Sequence, residues 1–251
     1  MVTTGDETHP DTRSDRNVTK ELARITADGT DARGFASVVR ALAGSAKTAG
    51  AAAVTSGKWL VDLAIDLAGQ LPVRSMDQLR ADFPDRSAEK IADELVAQAA
   101  KATGAVGAVA GGLAAAEWFA PPTWVAAPIE LVTETLAIAA IEMRLIGELH
   151  SVYGRPVQAA GGARAAALAH AWSTGHAVEP EYLVAGPTAA ALWTAAGKRQ
   201  MQRALRKRLA RRAGRSAASF LPFLLGAAAG MKLNSAATGK LAQTVRRQLT
   251  R

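Results

Sequence analysis

The longest run of apolar residues at helical spacing covers residues 87–154. Ser87 suits the N-cap position, with Glu89 in the first turn where a negative charge meets the positive end of the helix dipole, and Ile91, Leu95, Val96 and Ala99 follow at helical intervals. After Thr103, the chain to residue 116 is Gly, Ala, Val and Leu only, with Gly107 and Gly111 in a GxxxG pair. An interior Gly costs about 1 kcal/mol against Ala, so several in one run imply a second helix packed at very short range. Pro121 and Pro122 cannot continue this helix, and a return limb over 124–153 carries Leu131, Leu136, Ile138, Ile141, Leu145, Ile146 and Leu149. The pattern predicts a long helical hairpin.

Residues 1–16 are polar, without apolar periodicity, and read as a disordered tail ahead of a single helical domain over 17–251. In 18–49, Leu22, Ile25, Phe35, Val38, Val39 and Leu42 predict short helices broken around Gly29 and Gly34. Val54, Trp59, Leu60, Leu63, Ile65 and Leu67 predict one helix over 51–71 that ends near Gly69, followed by a connector at 72–85. Pro156 lies in a break at 154–162, and a short helix at 164–173 carries His170 and Trp172. Residues 198–215 form a basic amphipathic pattern with Met201, Leu205 and Leu209 as a narrow apolar stripe. An apolar segment at 216–230 contains Pro222 and a second GxxxG at Gly226 and Gly230.

Almost half of the 251 residues are hydrophobic, but Ala and Gly carry much of that share and aromatics are scarce. Such a composition packs helices closely and suits sheets poorly. The predicted class is all-α, a helical bundle built around the Gly-rich hairpin. With no cysteine, disulfides and thiolate metal sites are excluded, which is consistent with a cytosolic compartment. The first twenty residues lack the apolar core of a signal peptide.

Charge is uneven. The formal total is +8, but residues 182–251 hold fourteen Lys or Arg and no Asp or Glu, which leaves the first 181 residues at −6. Any acidic partner is therefore expected to meet the C-terminal segment, and above all the nine cations Lys198, Arg199, Arg203, Arg206, Lys207, Arg208, Arg211, Arg212 and Arg215.

Candidate catalytic chemistry is thin. The GSAKTAG and TSGKW pieces invite a phosphate-loop reading, but Trp59 follows Lys58 where Ser or Thr is required, and no strand precedes them. Glu130, Glu134 and Glu148 share one side of the return limb, with Glu142 further round. The expectation is a polar face turned to water or to Arg144 and other cations, because no Glu-x-x-His or His-x-x-x-His spacing supports a metal site. His150, His170 and His176 are scattered and read as ordinary surface or core histidines. No catalytic residue, cofactor or metal is assigned.

From residue 65 to 249 the order of elements resembles the EcsC family, bacterial proteins named after a member encoded beside an ABC transporter. The resemblance rests on the Gly-rich helix GAVGAVAGGLAA, the proline elbow, Glu134 ten residues before Arg144, the Tyr153-Gly154 pair, and the closing FLPFLLGAAAGMKLNSAATGKLA. It implies a helical fold and a membrane-linked setting, and supplies no mechanism.

The hairpin's apolar limb approaches the roughly 20 residues that a spanning helix needs. Glu117, Glu130 and Glu134 oppose insertion at about 2.5 to 3.5 kcal/mol each at the bilayer midplane. Soluble packing is favoured, with conditional opening of the hairpin onto a membrane left open, and Trp118, Phe119 and Trp124 around the elbow read as an aromatic cap or an interfacial anchor. The expected function is a non-enzymatic protein peripheral to the cytoplasmic membrane face, accessory to a transporter or envelope process, with anionic lipid and a membrane protein as the expected partners. The alternative is a nucleic-acid-associated protein using the same cations, although no helix-turn-helix, zinc-finger or stacking motif accompanies them.

Overall fold

A computed structural model describes residues 13–28, 32–50, 57–116, 126–157, 161–179, 195–218 and 223–251, with side chains at most of these positions. The described residues contain no strand and form nine helices packed as a bundle. These are α1 (Arg13–Asp28), α2 (Ala32–Ala49), α3 (Lys58–Gln70), α4 (Met76–Asp82), α5 (Ala88–Ala116), α6 (Ala126–Val152), α7 (Gly161–Thr174), α8 (Ala195–Ala218) and α9 (Phe223–Leu249).

The centre is α6, which packs against each of the other described helices. From Thr133 to Val152 every residue except Arg144 is buried. A helix that is apolar all round has no solvent face to offer, so the bundle closes around it. Its C-terminus is fixed by Gly154 at φ +70°. The Gly154 N–H donates to the Ser151 carbonyl (3.3 Å) and the Arg155 N–H reaches back to that of His150 (2.9 Å), so carbonyls that the helix leaves open are satisfied.

Helices α5 and α9 run antiparallel and touch backbone to backbone. A Cβ placed on Gly230 would lie 2.5 Å from the Gly107 carbonyl oxygen, and one on Gly107 would lie 2.6 Å from that of Gly230. Gly104 faces Ser235 and Met231 in the same seam. Small residues permit this approach, and side-chain hydrogen bonds then cross it. The packing of Gly111 and Gly226 lies outside the described residues, as does the proline elbow at 117–125.

Some boundaries differ from the sequence expectation. Arg13 to Arg16, assigned above to the tail, are helical, because Val18 and Leu22 bury one face of α1 and Asp15 accepts a hydrogen bond from Ser45 of α2. No break occurs at Gly34, which is buried inside α2, where the burial of Phe35, Val38 and Leu42 offsets its low helix propensity. The expected 51–71 helix begins only at Lys58, after Gly57 at φ +74°. Within the 72–85 connector lies α4, opened by a capping box. Ser75 Oγ accepts from the Gln78 N–H (3.3 Å), and Gln78 Oε1 accepts from the Ser75 N–H (2.8 Å).

Candidate functional site

The carboxylates of α6 are not a solvated face. Glu134, Glu142 and Glu148 are 2%, 0% and 3% exposed, so of the two expected settings, water or Arg144 and other cations, the second holds for Glu148 and Glu142, while Glu134 meets an amide. Apolar residues surround them on every side of the helix, so burying those residues takes the acids inward as well. A buried charge needs hydrogen-bonding partners, and each acid has them.

Glu134 accepts from Asn234 Nδ2 (3.0 Å) on α9. Glu142 is met by three elements. Its Oε2 accepts from Trp172 Nε1 of α7 (2.8 Å) and pairs with Arg208 Nη1 of α8 (2.8 Å), while its Oε1 accepts from Thr238 Oγ1 of α9 (3.0 Å). Thr238 spends its single proton there, so Thr103 of α5 donates to Thr238 (3.0 Å) and completes a chain of donors ending on Glu142. The Arg208 guanidinium also lies 4.4 Å from the centre of the Trp172 ring, a cation–π contact. Glu148 takes a two-pronged hydrogen bond from Arg74 (2.7 and 3.0 Å) and a third bond from Arg144 (2.9 Å). The Glu148 hydrogen bond is the main influence holding the Arg74 pKa above its usual value.

Arg144 and Tyr153 thus have structural partners. The Tyr153 hydroxyl donates to Glu89 (3.1 Å) and accepts from Arg246 Nε (3.0 Å), and Arg246 also binds Asp93 (2.6 Å), which ties α6 to α5 and α9. His150 is buried, with Nδ1 donating to the Arg155 carbonyl (3.0 Å) and Nε2 accepting from the Val178 N–H (2.8 Å). Burial lowers its pKa to about 4, against the raising effect of the Arg155 carbonyl.

The cations of α8 divide into two groups. Met201 and Leu205 are buried and set the inward face; Arg208 lies beside that face and points to Glu142. Lys198, half-exposed, pairs with Asp62 (3.5 Å), and Arg206 approaches Gly57. Arg199, Arg203, Lys207 and Arg211 are exposed and follow one another at four-residue steps. At about 1.5 Å per residue they form a line of roughly 18 Å along the outer face. The side chains of Arg212 and Arg215 lie outside the described residues.

An open cleft of about 350 Å³ is lined by Ser75, Met76, Arg80, Ala88, Ser151, Val152, Gly154 and Pro156. It brings together two hydroxyls and a guanidinium but no carboxylate or imidazole, so it has no acid–base pair. Among the described residues no group of His, Cys, Asp or Glu is arranged to hold a metal ion, and no helix is long and apolar enough to cross a membrane.

Sequence reasoning missed the Glu142 node, whose members come from five helices without any local spacing. One signal was present for part of it. Gly230, Asn234 and Thr238 stand four apart on α9, and Thr103 and Gly107 four apart on α5, so each polar residue lies on the ridge that already carries a contact glycine. The chain matches no protein-family model, no curated protein and no solved structure, so its geometry carries the functional reading.

Proposed function

We propose that this protein is a non-enzymatic helical bundle that docks peripherally on the anionic, cytoplasmic face of a membrane through the outer face of α8. The observation that carries the reading is the exposed line Arg199, Arg203, Lys207 and Arg211, in a segment whose last seventy residues contain no acidic group. A cation at an anionic bilayer surface gains about 1 kcal/mol, so four spread over this outer face can contribute up to about 4 kcal/mol, or nearly a thousandfold in partitioning. The resemblance to EcsC proteins supports a membrane-linked setting and a role beside a transport or envelope protein. The pairing of Arg208 with Glu142 narrows the docking surface, because that guanidinium, though 35% exposed, is engaged by a buried acid.

Vesicle flotation tests the reading. The protein should float with vesicles containing phosphatidylglycerol, stay behind with neutral phosphatidylcholine, and dissociate as salt rises, since exposed charges are screened over about 8 Å at physiological ionic strength. Changing Arg199, Arg203, Lys207 and Arg211 together to Gln should abolish flotation without unfolding the protein. Equal binding to neutral vesicles would reject the electrostatic mechanism. Tighter binding to duplex DNA than to anionic vesicles at matched salt would replace it with the nucleic-acid reading.

A further inference from the structure

The open cleft of about 350 Å³ lies where α4, the start of α5 and the end of α6 meet, and neither the core pairs nor the α8 cations use it. Its size falls at the lower end of the roughly 300 to 1,000 Å³ of small-molecule sites. Gly154 opens it. At φ +70° the chain turns off the end of α6 without a side chain, and a Cβ there would meet nothing within 4 Å. Met76 of α4, Ala88 of α5, Val152 of α6 and Pro156 give an apolar lining. Ser151 adds little polarity, since its hydroxyl donates to the Gly147 carbonyl (3.3 Å).

Two polar groups on the lining keep unused protons. Arg80 is exposed, stands four residues from Met76 on the same face of α4, and pairs with no carboxylate among the described residues, Asp77 of its own helix included. Ser75 Oγ accepts from the Gln78 N–H, but no acceptor among the described residues takes its own proton. The acids Asp82 and Glu89 are already engaged, by Arg74 (2.8 Å) and Arg246 (2.6 Å). The charge left uncompensated on the lining is therefore positive.

We infer that this cleft binds a small amphiphile carrying one carboxylate, its head held by Arg80 and Ser75 and its apolar chain laid against Met76, Val152 and Pro156. The guanidinium fork matches the two oxygens of a carboxylate, and one lining cation suits a monoanion better than a phosphate dianion. Helix side chains lean toward the N-terminus, which brings Arg80 back toward Ser75. The lining has no acid or imidazole to act on a bound ester or amide, so the site holds its ligand without converting it.

Octanoate is the probe, with 1-octanol as its neutral counterpart. Isothermal titration should show one saturable octanoate per chain. Arg80→Gln should weaken octanoate about tenfold, through loss of the charged hydrogen bond, and leave octanol unchanged. Ala88→Trp, whose ring would occupy the cleft, should weaken both. Lys101→Gln, which removes a cation elsewhere on α5, should change neither. All three positions are exposed, so the thermal midpoint without probe should stay near that of the parent. Equal losses for Arg80→Gln and Lys101→Gln, or undiminished binding by Ala88→Trp, would overturn the site. No saturable octanoate binding at millimolar concentration would overturn it too, and tighter binding of octyl phosphate would overturn the carboxylate head. Vesicle docking stands or falls separately, because no residue of α8 lines the cleft.

Discussion

Helices α6 and α8 are of similar length, 27 and 24 residues, and both carry several charged groups, yet they treat them in opposite ways. On α6 three carboxylates are buried and each is met by donors from other elements. On α8 the cations Arg199, Arg203, Lys207 and Arg211 are among the exposed ones, and Arg208 pairs with an α6 acid. The difference lies in the residues between the charges. Around Glu134, Glu142 and Glu148 nearly every other position is apolar, so removing that surface from water outweighs the cost of taking the acids along, provided donors meet them. Among the described side chains of α8 the fully buried ones are Met201 and Leu205, a stripe too narrow to bury the cations between them. A charge therefore reports burial poorly by itself, and its neighbours at three and four residues report it better.

The contrast breaks most severely at Glu142. Glu142→Ala would leave Trp172 Nε1, Thr238 Oγ1 and Arg208 without their acceptor, and loss of one member of a buried pair costs about 3 to 5 kcal/mol. Denaturant unfolding should show that loss; a change below about 1 kcal/mol would mean the node contributes little.

A pH effect at the end of α6 ranks next. Above about pH 6.5 His150 is neutral in the folded and unfolded chains alike. Between there and about pH 4 the unfolded chain binds a proton that the folded chain refuses, so stability falls as pH falls, by roughly 3 kcal/mol in full, and His150 contributes no further slope below that. Protonation at Nε2 would also displace the Val178 N–H. Stability curves at closely spaced pH values, compared with those of His150→Gln, should show the slope shrink in the variant. An imidazole titrating near 6.5 by NMR would contradict the burial.

Gly230→Ala tests the crossing that carries the α9 donors to the α6 acids. Its Cβ would meet the Gly107 carbonyl, and the shift forced on the two backbones should cost about 1 to 3 kcal/mol. An unchanged thermal midpoint would mean that the helices separate without penalty.

The smallest effect sharpens the comparison inside α8. Arg203→Gln should change stability by no more than about 0.5 kcal/mol, whereas Arg208→Gln, which removes the ion pair with buried Glu142, should cost about 1 to 3 kcal/mol. Equal costs would erase the distinction between inner and outer cations.

The sequence by itself determined the helical class, the hairpin limbs of α5 and α6, the basic helix and the break at Gly154, because each follows from local periodicity, from residues that cannot continue a helix, or from one that closes it. It also marked Gly107 and Gly230 as places where backbones approach, since interior glycines call for a compensating contact. It did not determine that they approach each other, that α4 interrupts the connector, or that the α6 acids are buried. Those outcomes were decided by tertiary packing. Asn234 lies a hundred residues from the Glu134 that it satisfies, and Trp172, Arg208 and Thr238 reach Glu142 from three separate helices, so no local spacing could announce them. A carboxylate's fate depends on which donors the fold delivers to it, and only the packed bundle brings them within hydrogen-bonding distance.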